Sequence, residues 1–498
     1  MSEQNDEKKN EAHEISLHPF HPLQPFEYAE SKETINQNGI ITKPQVYKKE
    51  EAVDTKDITN STTKTSKKKS TVISAGLMMT DACLGTTIFT FAVKAKTFGL
   101  LWFLVFVIII GIINYWSIMA GAKASSKCDE DDYSEITLKF LGKKAKIILN
   151  VVLIIYSYAC MMCHLALIYP LFGRFLHSTI YINKYDTYDD FENKVWEKLY
   201  IKLPFFTIVS LAVSFMCLID DINKLNFTSY VTVAVNSYAL IVIMVQCRSY
   251  YQYYKKTVYV KEDESTHPNW TDLSQAFKSD LDFFKGIANL ICAYACHPNI
   301  FPIYAGFKKD KQDEEEREEG LKKMSLGTIF GTILTTALHI VSIVCSFLTD
   351  PITPEDLIIY RKNKDNGKDI PMGIAKLAVF ISLVFTLPIY YFTLRLSVSD
   401  SFLNGKLTQK FNIIFTFCSV FGSSIVAIVY DKILNYLSYI GGFISVFICY
   451  LIPVLLYIKA YGKPITYWKN LIQFIFAIIL CMIGVTAGIL TLIDDIKG

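Results

Sequence analysis

The chain has 498 residues, a formal net charge of +3, 19% charged and 51% hydrophobic residues, and a mean hydropathy of +0.29. That excludes an ordinary soluble protein, in which about a quarter of the residues are charged, and the near-neutral balance gives no reason to expect nucleic acid as a partner. Twelve cysteines are present, but most fall inside apolar stretches, which excludes a disulfide framework in exposed loops.

Residues 1–70 are polar and rich in Glu, Lys, Asn and Thr. They cannot bury a core and show no cleavable signal peptide, so a disordered cytosolic N-terminal tail is expected. From there, residues 71–498 read as one transmembrane domain. Apolar stretches of roughly 20 residues, each enough to cross ~30 Å of hydrocarbon as a helix, recur to the C-terminus. They run over 72–93, 99–122, 147–171, 204–220, 227–247, 283–304, 325–348, 373–395, 411–430, 438–458 and 470–493. The expected fold class is an all-α integral membrane protein of about 11 transmembrane helices.

Basic residues are nearly balanced between the two sets of connections. Lys64, Lys67, Lys68 and Lys69 directly precede the first span, which places the N-terminus in the cytosol. A glycosylation sequon at Asn269-Trp270-Thr271, in the loop expected outside, agrees with that orientation. Asn226-Phe227-Thr228 is a second sequon on the expected inner side. The tyrosines Tyr250, Tyr251, Tyr253, Tyr254 and Tyr259 resemble an interfacial aromatic belt. The charge block Lys308 to Lys323 reads as a solvated connector or a short helix.

The first and sixth spans are interrupted. The first reads Met79-Thr80-Asp81-Ala82-Cys83-Leu84-Gly85-Thr86-Thr87. Asp81 sits well inside the span, where an ionised carboxylate is costly without a partner, a cation or a proton. Gly85 permits unwinding, and the N–H groups of a broken helix suit a substrate carboxylate. Carbonyls on the other side of the same break suit a cation. Gly85 can equally serve close helix packing, and Asp81 a structural hydrogen bond. The sixth span carries Cys296-His297-Pro298-Asn299 and, four residues after the first proline, Pro302. Each proline removes a helix donor. His297 can carry a proton or fix the break by a hydrogen bond to a neighbouring helix. Broken helices at equivalent places in two five-span halves are where inverted-repeat transporters hold substrate and ion. In the eighth span Ser382 and Thr386 are spaced i and i+4, so their hydroxyls share one face. They are oxygen ligands suited to Na⁺, or they back-bond to their own helix. Cys160-x-x-Cys163 lies within an apolar span and is not read as a metal or redox motif. His164, Asn236 and His339 read as interhelical hydrogen-bonding groups.

Three segments together resemble the amino acid/auxin permease family, a eukaryotic branch of the amino acid–polyamine–organocation superfamily. The sixth span matches its pattern through Tyr294, Cys296, His297, Asn299, Phe301 and Tyr304. The eighth matches through Thr386, Pro388, Phe392 and Arg395, and the first is similar to its opening glycine motif. The resemblance implies a LeuT-like 5+5 inverted repeat with an eleventh helix and broken helices 1 and 6. It implies a symporter for amino acids that works by alternating access coupled to Na⁺ or H⁺. Substrate-binding residues would be Gly85, Thr86, Thr87, Cys296, His297 and Asn299. Ion-coupling residues would be Asp81, Ser382 and Thr386, and a metal ion (Na⁺) is expected nowhere beyond Asp81 and Thr386. Asp81 stands where sodium-coupled members carry Asn, Thr87 where the family has a second glycine, and Thr393 where it has a second proline. The expected partners are an amino-acid substrate and the lipid bilayer of the plasma membrane or a vacuolar or lysosomal membrane. No cofactor is expected. The chain is not read as an enzyme, because no nucleophile–base arrangement stands out. The competing reading is an amino-acid sensor on a transporter fold with little flux.

Overall fold

The computed structural model describes residues 71–85, 87–91, 95, 99–128, 130–219, 226–257, 282–307, 314–349, 357–361, 368–403, 405, 407–429, 438–462 and 466–497. The expected tail, Lys64 to Lys69 and the sequon at Asn269 lie outside them. Among the described residues the regular structure is all helical. The principal elements are α1 Val72–Leu84, α2 Leu100–Ser126, α3 Tyr133–Leu141, α4 Lys143–Leu176, α5 Leu199–Cys217 and α6 Asn226–Thr257. They continue with α7 Asp282–Ala293, α8 Ile300–Ala305, α9 Glu314–Thr349, α10 Ile370–Leu403 and α11 Gln409–Val429. A span over 440–460 (α12), which winds loosely at its start, and α13 Trp468–Lys497 complete the bundle.

Nine of the described helices are long and apolar enough to cross a bilayer. The expected first and sixth spans are not continuous helices. α1 starts on a Thr71 cap, whose hydroxyl accepts from the Ser74 N–H at 3.1 Å. It stops at Gly85 and is followed by a short turn, Thr87–Phe89. α7 stops at Ala293, and a turn at His297–Asn299 precedes α8. Both interruptions fall where Gly85 and Pro298 place them.

Two expectations change. The charge block is not a separate connector in its described part: Glu314 to Lys323 form the first turns of α9. Acidic residues in that first turn complement the helix dipole, and Glu319 pairs with Lys323 one turn on. Tyr250 does not belong to an exposed aromatic belt. It is buried, and its hydroxyl donates to Asp369 Oδ2 at 2.7 Å.

Small residues set the closest approaches. A Cβ on Gly76 of α1 would stand 2.9 Å from the Gly327 carbonyl, and one on Gly331 2.8 Å from the Gly76 carbonyl. The Gly327-x-x-x-Gly331 spacing thus lets α9 lie directly against α1, as small residues do between helices in lipid. Thr80 Oγ1 crosses the same seam, 3.3 Å from the Gly331 carbonyl. α10 packs against α4 and α6, and α13 against α7 and α12. Polar networks close both ends of α10. At its C-terminal end Asp400 accepts from Asn150 Nδ2 at 2.6 Å and from Ser134 Oγ at 2.9 Å, and pairs with Lys146 at 2.7 Å. Just before its N-terminal end Asp369 accepts from Gln246 Nε2 at 2.8 Å and stands 4.0 Å from the buried Arg361.

Candidate functional site

The end of α1 is buried at every residue from Met78 to Leu84. Asp81 is 0% exposed. Its Oδ1 accepts from Thr386 Oγ1 of α10 at 3.1 Å, while the same hydroxyl also lies 3.0 Å from the Ser382 carbonyl. One proton serves these two acceptors, so the back-bond and the bond to Asp81 are alternatives. Ser229 and Thr232 of α6 turn their hydroxyls towards the same carboxylate. Neither hydroxyl makes a direct hydrogen bond, and Asp81 Oδ2 makes none either. Two helices, α10 and α6, therefore aim hydroxyls at one buried acid on α1, with its Oδ2 left unengaged. Ser382 contributes its carbonyl to Thr386. Its hydroxyl accepts from Asn236 Nδ2 at 2.8 Å instead of meeting Asp81. Among the described residues, Cys83 and Tyr390 are titratable side chains within electrostatic reach of Asp81. No Lys, Arg or His is hydrogen-bonded to it among the described residues.

Carbonyls freed at the two breaks are engaged by hydroxyls of the first break itself and of neighbouring helices, as they must be away from water. Thr87 Oγ1 reaches back to the Cys83 carbonyl at 3.4 Å, and Thr90 Oγ1 donates to the Thr87 carbonyl at 2.8 Å. Ser342 of α9 donates to the Ile88 carbonyl. At the second break Tyr156 of α4 donates to the Ala295 carbonyl at 2.9 Å. The breaks meet side by side, with the thiols of Cys83 and Cys296 within hydrogen-bonding reach.

A small cavity opens on the first break. Its walls include Gly85, Thr87, Tyr156, His164, Cys292 and Tyr390. At roughly 20 Å³ it has room for about one water, so this is a closed arrangement that must widen to take anything larger. The absence of a side chain at Gly85 matters here: a Cβ would lie 3.3 Å from His164 Nε2. His164 anchors its other nitrogen on the Cys160 carbonyl at 2.8 Å, and Nε2 has no hydrogen-bond partner.

The structure thus brings Asp81, Thr386, Gly85, Thr87 and Cys296 into one region. His297 and Asn299 do not line the cavity. His297 is fully buried with neither ring nitrogen hydrogen-bonded, and its ring stands 5.9 Å from that of Tyr450. Thr86 lies outside the described residues. Sequence reasoning missed Ser229, Thr232, Tyr156 and Tyr390. Tyr390 carried a signal, two residues past Pro388 in the recognised eighth-span pattern. Ser229 and Thr232 carried little, since hydroxyls in apolar helices commonly bond their own backbone.

The family model described as transmembrane amino acid transporter protein matches residues 68–496. The chain belongs to this family. It is a family of multi-pass membrane transporters and not of enzymes. Amino acid transporter AVT6E of Arabidopsis thaliana is 21% identical over 346 residues, 69% of this chain and 66% of that protein. Sodium-coupled neutral amino acid transporter 4 of Homo sapiens is 23% identical over 175 residues, 35% of this chain and 30% of the relative. The chain thus spans just under two thirds of the plant relative's length and under a third of the human one's. Sodium-coupled neutral amino acid symporter 2 of Danio rerio is 20% identical over 400 residues, 77% of this chain and 74% of the relative. Among solved structures, a manganese transporter of Eremococcus coleocola gives a TM-score of 0.46 at 11% identity, covering 86% of this chain and 95% of that one.

Proposed function

We propose that the chain is a secondary active amino-acid transporter that works by alternating access with H⁺ or Na⁺ as the coupling ion. Eleven crossings are counted in this reading: the nine long helices and the two broken segments α1 and α7–α8. They form two inverted five-span halves and a final helix, α13, with the N-terminus in the cytosol. The substrate's carboxylate faces the N–H groups of Gly85 to Thr87, where a helix terminus favours negative charge. Its ammonium faces carbonyls and hydroxyls around Cys296, His297 and Asn299. Asp81 and Thr386 carry the ion, with Ser382 supplying a carbonyl through Thr386.

The observation that carries this reading is Asp81 itself. A carboxylate fully removed from solvent costs several kcal/mol unless a charge balances it. Its neighbours from α10 and α6 are hydroxyls, which can donate to a carboxylate, accept from a protonated acid, or ligate a hard cation. Ser229 and Thr232 extend the ion site from two helices to three. When the ion leaves, the acid loses its balancing charge, which opposes any arrangement that keeps it buried. That couples ion release to opening of the breaks.

The test is uptake of radiolabelled amino acids into proteoliposomes holding the full chain, with Na⁺ and pH gradients imposed separately. One of the two gradients is expected to drive concentrative uptake. Saturable amino-acid binding with no uptake under either gradient would replace this reading with the sensor.

A further inference from the structure

α6 and α9 each carry a cysteine near the end that faces the Arg361–Asp369 network. Cys247 Sγ stands 3.5 Å from the Cys345 carbonyl, and the two thiols are within hydrogen-bonding reach of each other. Thr349 Oγ1, one turn on, donates to that carbonyl at 2.6 Å. Both cysteines are reduced, and each keeps 9% of its surface accessible. Cys247 is within electrostatic reach of Arg361, whose guanidinium donates to the adjoining Gln246 side chain and stacks 3.7 Å above the Tyr250 ring. Cys83 and Cys296 also touch, but at 4% and 1% exposure they are sealed inside the bundle. Cys247 and Cys345 border a polar end of the helices, next to positive charge, the setting in which thiols react.

The pair also joins two different parts of the molecule. α9 is bound to the broken helix α1 along the Gly76–Gly331 seam, and α6, which also touches α1 and α9, packs most broadly along α10. We propose that Cys247 and Cys345 form a reversible disulfide that fastens α9 to α6 and holds this end of the transporter shut. The proposal rests on the alternating-access reading and adds to it that α1 and α9 move against α6 and α10. With the N-terminus in the cytosol, this end faces the oxidising side, where disulfides persist.

The oxidant is a low-molecular-weight disulfide, RSSR. The Cys247 thiolate attacks one sulfur, a mixed disulfide forms, and RS⁻ leaves. The Cys345 thiolate then attacks Cys247 Sγ, the protein disulfide forms, and a second RS⁻ leaves. Two cysteines are oxidised, one RSSR is reduced to two RSH, and the two cysteine protons end on the released thiols.

The test uses full-length protein in proteoliposomes exposed to oxidised glutathione, then to dithiothreitol, with uptake and peptide mass spectrometry read in parallel. The expected result is a Cys247–Cys345 cross-linked peptide, loss of most uptake on oxidation, and recovery on reduction. Cys247→Ser and Cys345→Ser are expected to transport like wild type and to ignore the oxidant. Absence of that peptide overturns the proposal. So does undiminished uptake by cross-linked protein, or equal inhibition of both variants. If reduced wild type shows no uptake at all, the transport reading fails, and the cross-linked peptide alone decides whether the two helices are fastened.

Discussion

Asp81 concentrates the chemistry in one side chain. Its depth in the span was legible from the sequence, because a carboxylate in an apolar run stands out. Its partners were only partly legible: Thr386 was marked by the eighth-span pattern, whereas Ser229 and Thr232 look like ordinary helix hydroxyls until the fold brings α6 alongside. Asp81→Asn keeps the size of the side chain and one acceptor oxygen for Thr386, but not its charge. We expect that variant to fold, to bind substrate, and to lose accumulation driven by a pH gradient in the proteoliposome assay. Accumulation at the wild-type level would remove Asp81 from the coupling site. Gly85 offers a second test. In Gly85→Ala the new methyl meets His164 Nε2 at 3.3 Å, a contact tight enough to disturb the cavity wall. Uptake is expected to fall in that variant and to recover in part when His164→Ala is added, a non-additivity expected of side chains in contact. Equal, additive losses would mean that the two groups do not share a wall.

At the scale of elements, the glycine seam with α9 holds the broken helix α1 in place. Replacing Gly331 with Val puts a side chain against the Gly76 carbonyl, 2.8 Å from the first added carbon. Overpacking of this kind costs roughly 1–3 kcal/mol, so a lower melting temperature in detergent is expected, together with impaired uptake. A variant that melts like wild type would show that α1 and α9 separate without cost. The network before α10 behaves differently. Burial acts to raise the Asp369 carboxyl, but hydrogen bonds from Gln246, Tyr250 and the Met372 N–H, with Arg361 nearby, hold it below its usual 3.8. A depressed acid stabilises the fold above its unfolded pKa and loses that contribution as pH falls through the folded value. The Asp369 contribution should therefore be constant from neutral pH down to the usual carboxylate range and fade only below it. Melting curves of wild type and Asp369→Asn should stay a fixed interval apart between neutral pH and the upper edge of that range. An interval that shrinks already near neutrality would contradict the assignment. Sequence periodicity could not find this network, because Gln246, Tyr250, Arg361 and Asp369 come from distant stretches of the chain.

For the whole molecule, the apolar spans and their interruptions were the most legible features, since hydrocarbon thickness fixes helix length and Gly85, Pro298 and Pro302 mark where helices stop. Less legible was how each break is repaired. Tyr156, Thr90 and Ser342 satisfy the freed carbonyls from positions that no local pattern singles out. The charge block after α8 reads as a solvated connector or a short helix, because nothing local shows that its described part, Glu314 to Lys323, continues into a long span. The central claim is that the two breaks lie together and form one zwitterion site beside a buried ion site. A structure of the full chain in lipid nanodiscs with a transported amino acid bound tests it most directly. The account predicts amino-acid density whose carboxylate lies on the backbone at Gly85 to Thr87, next to an Asp81–Thr386 contact. Density bound elsewhere, or two straight helices with no break between Leu84 and Ile88 or between Ala293 and Ile300, would contradict it.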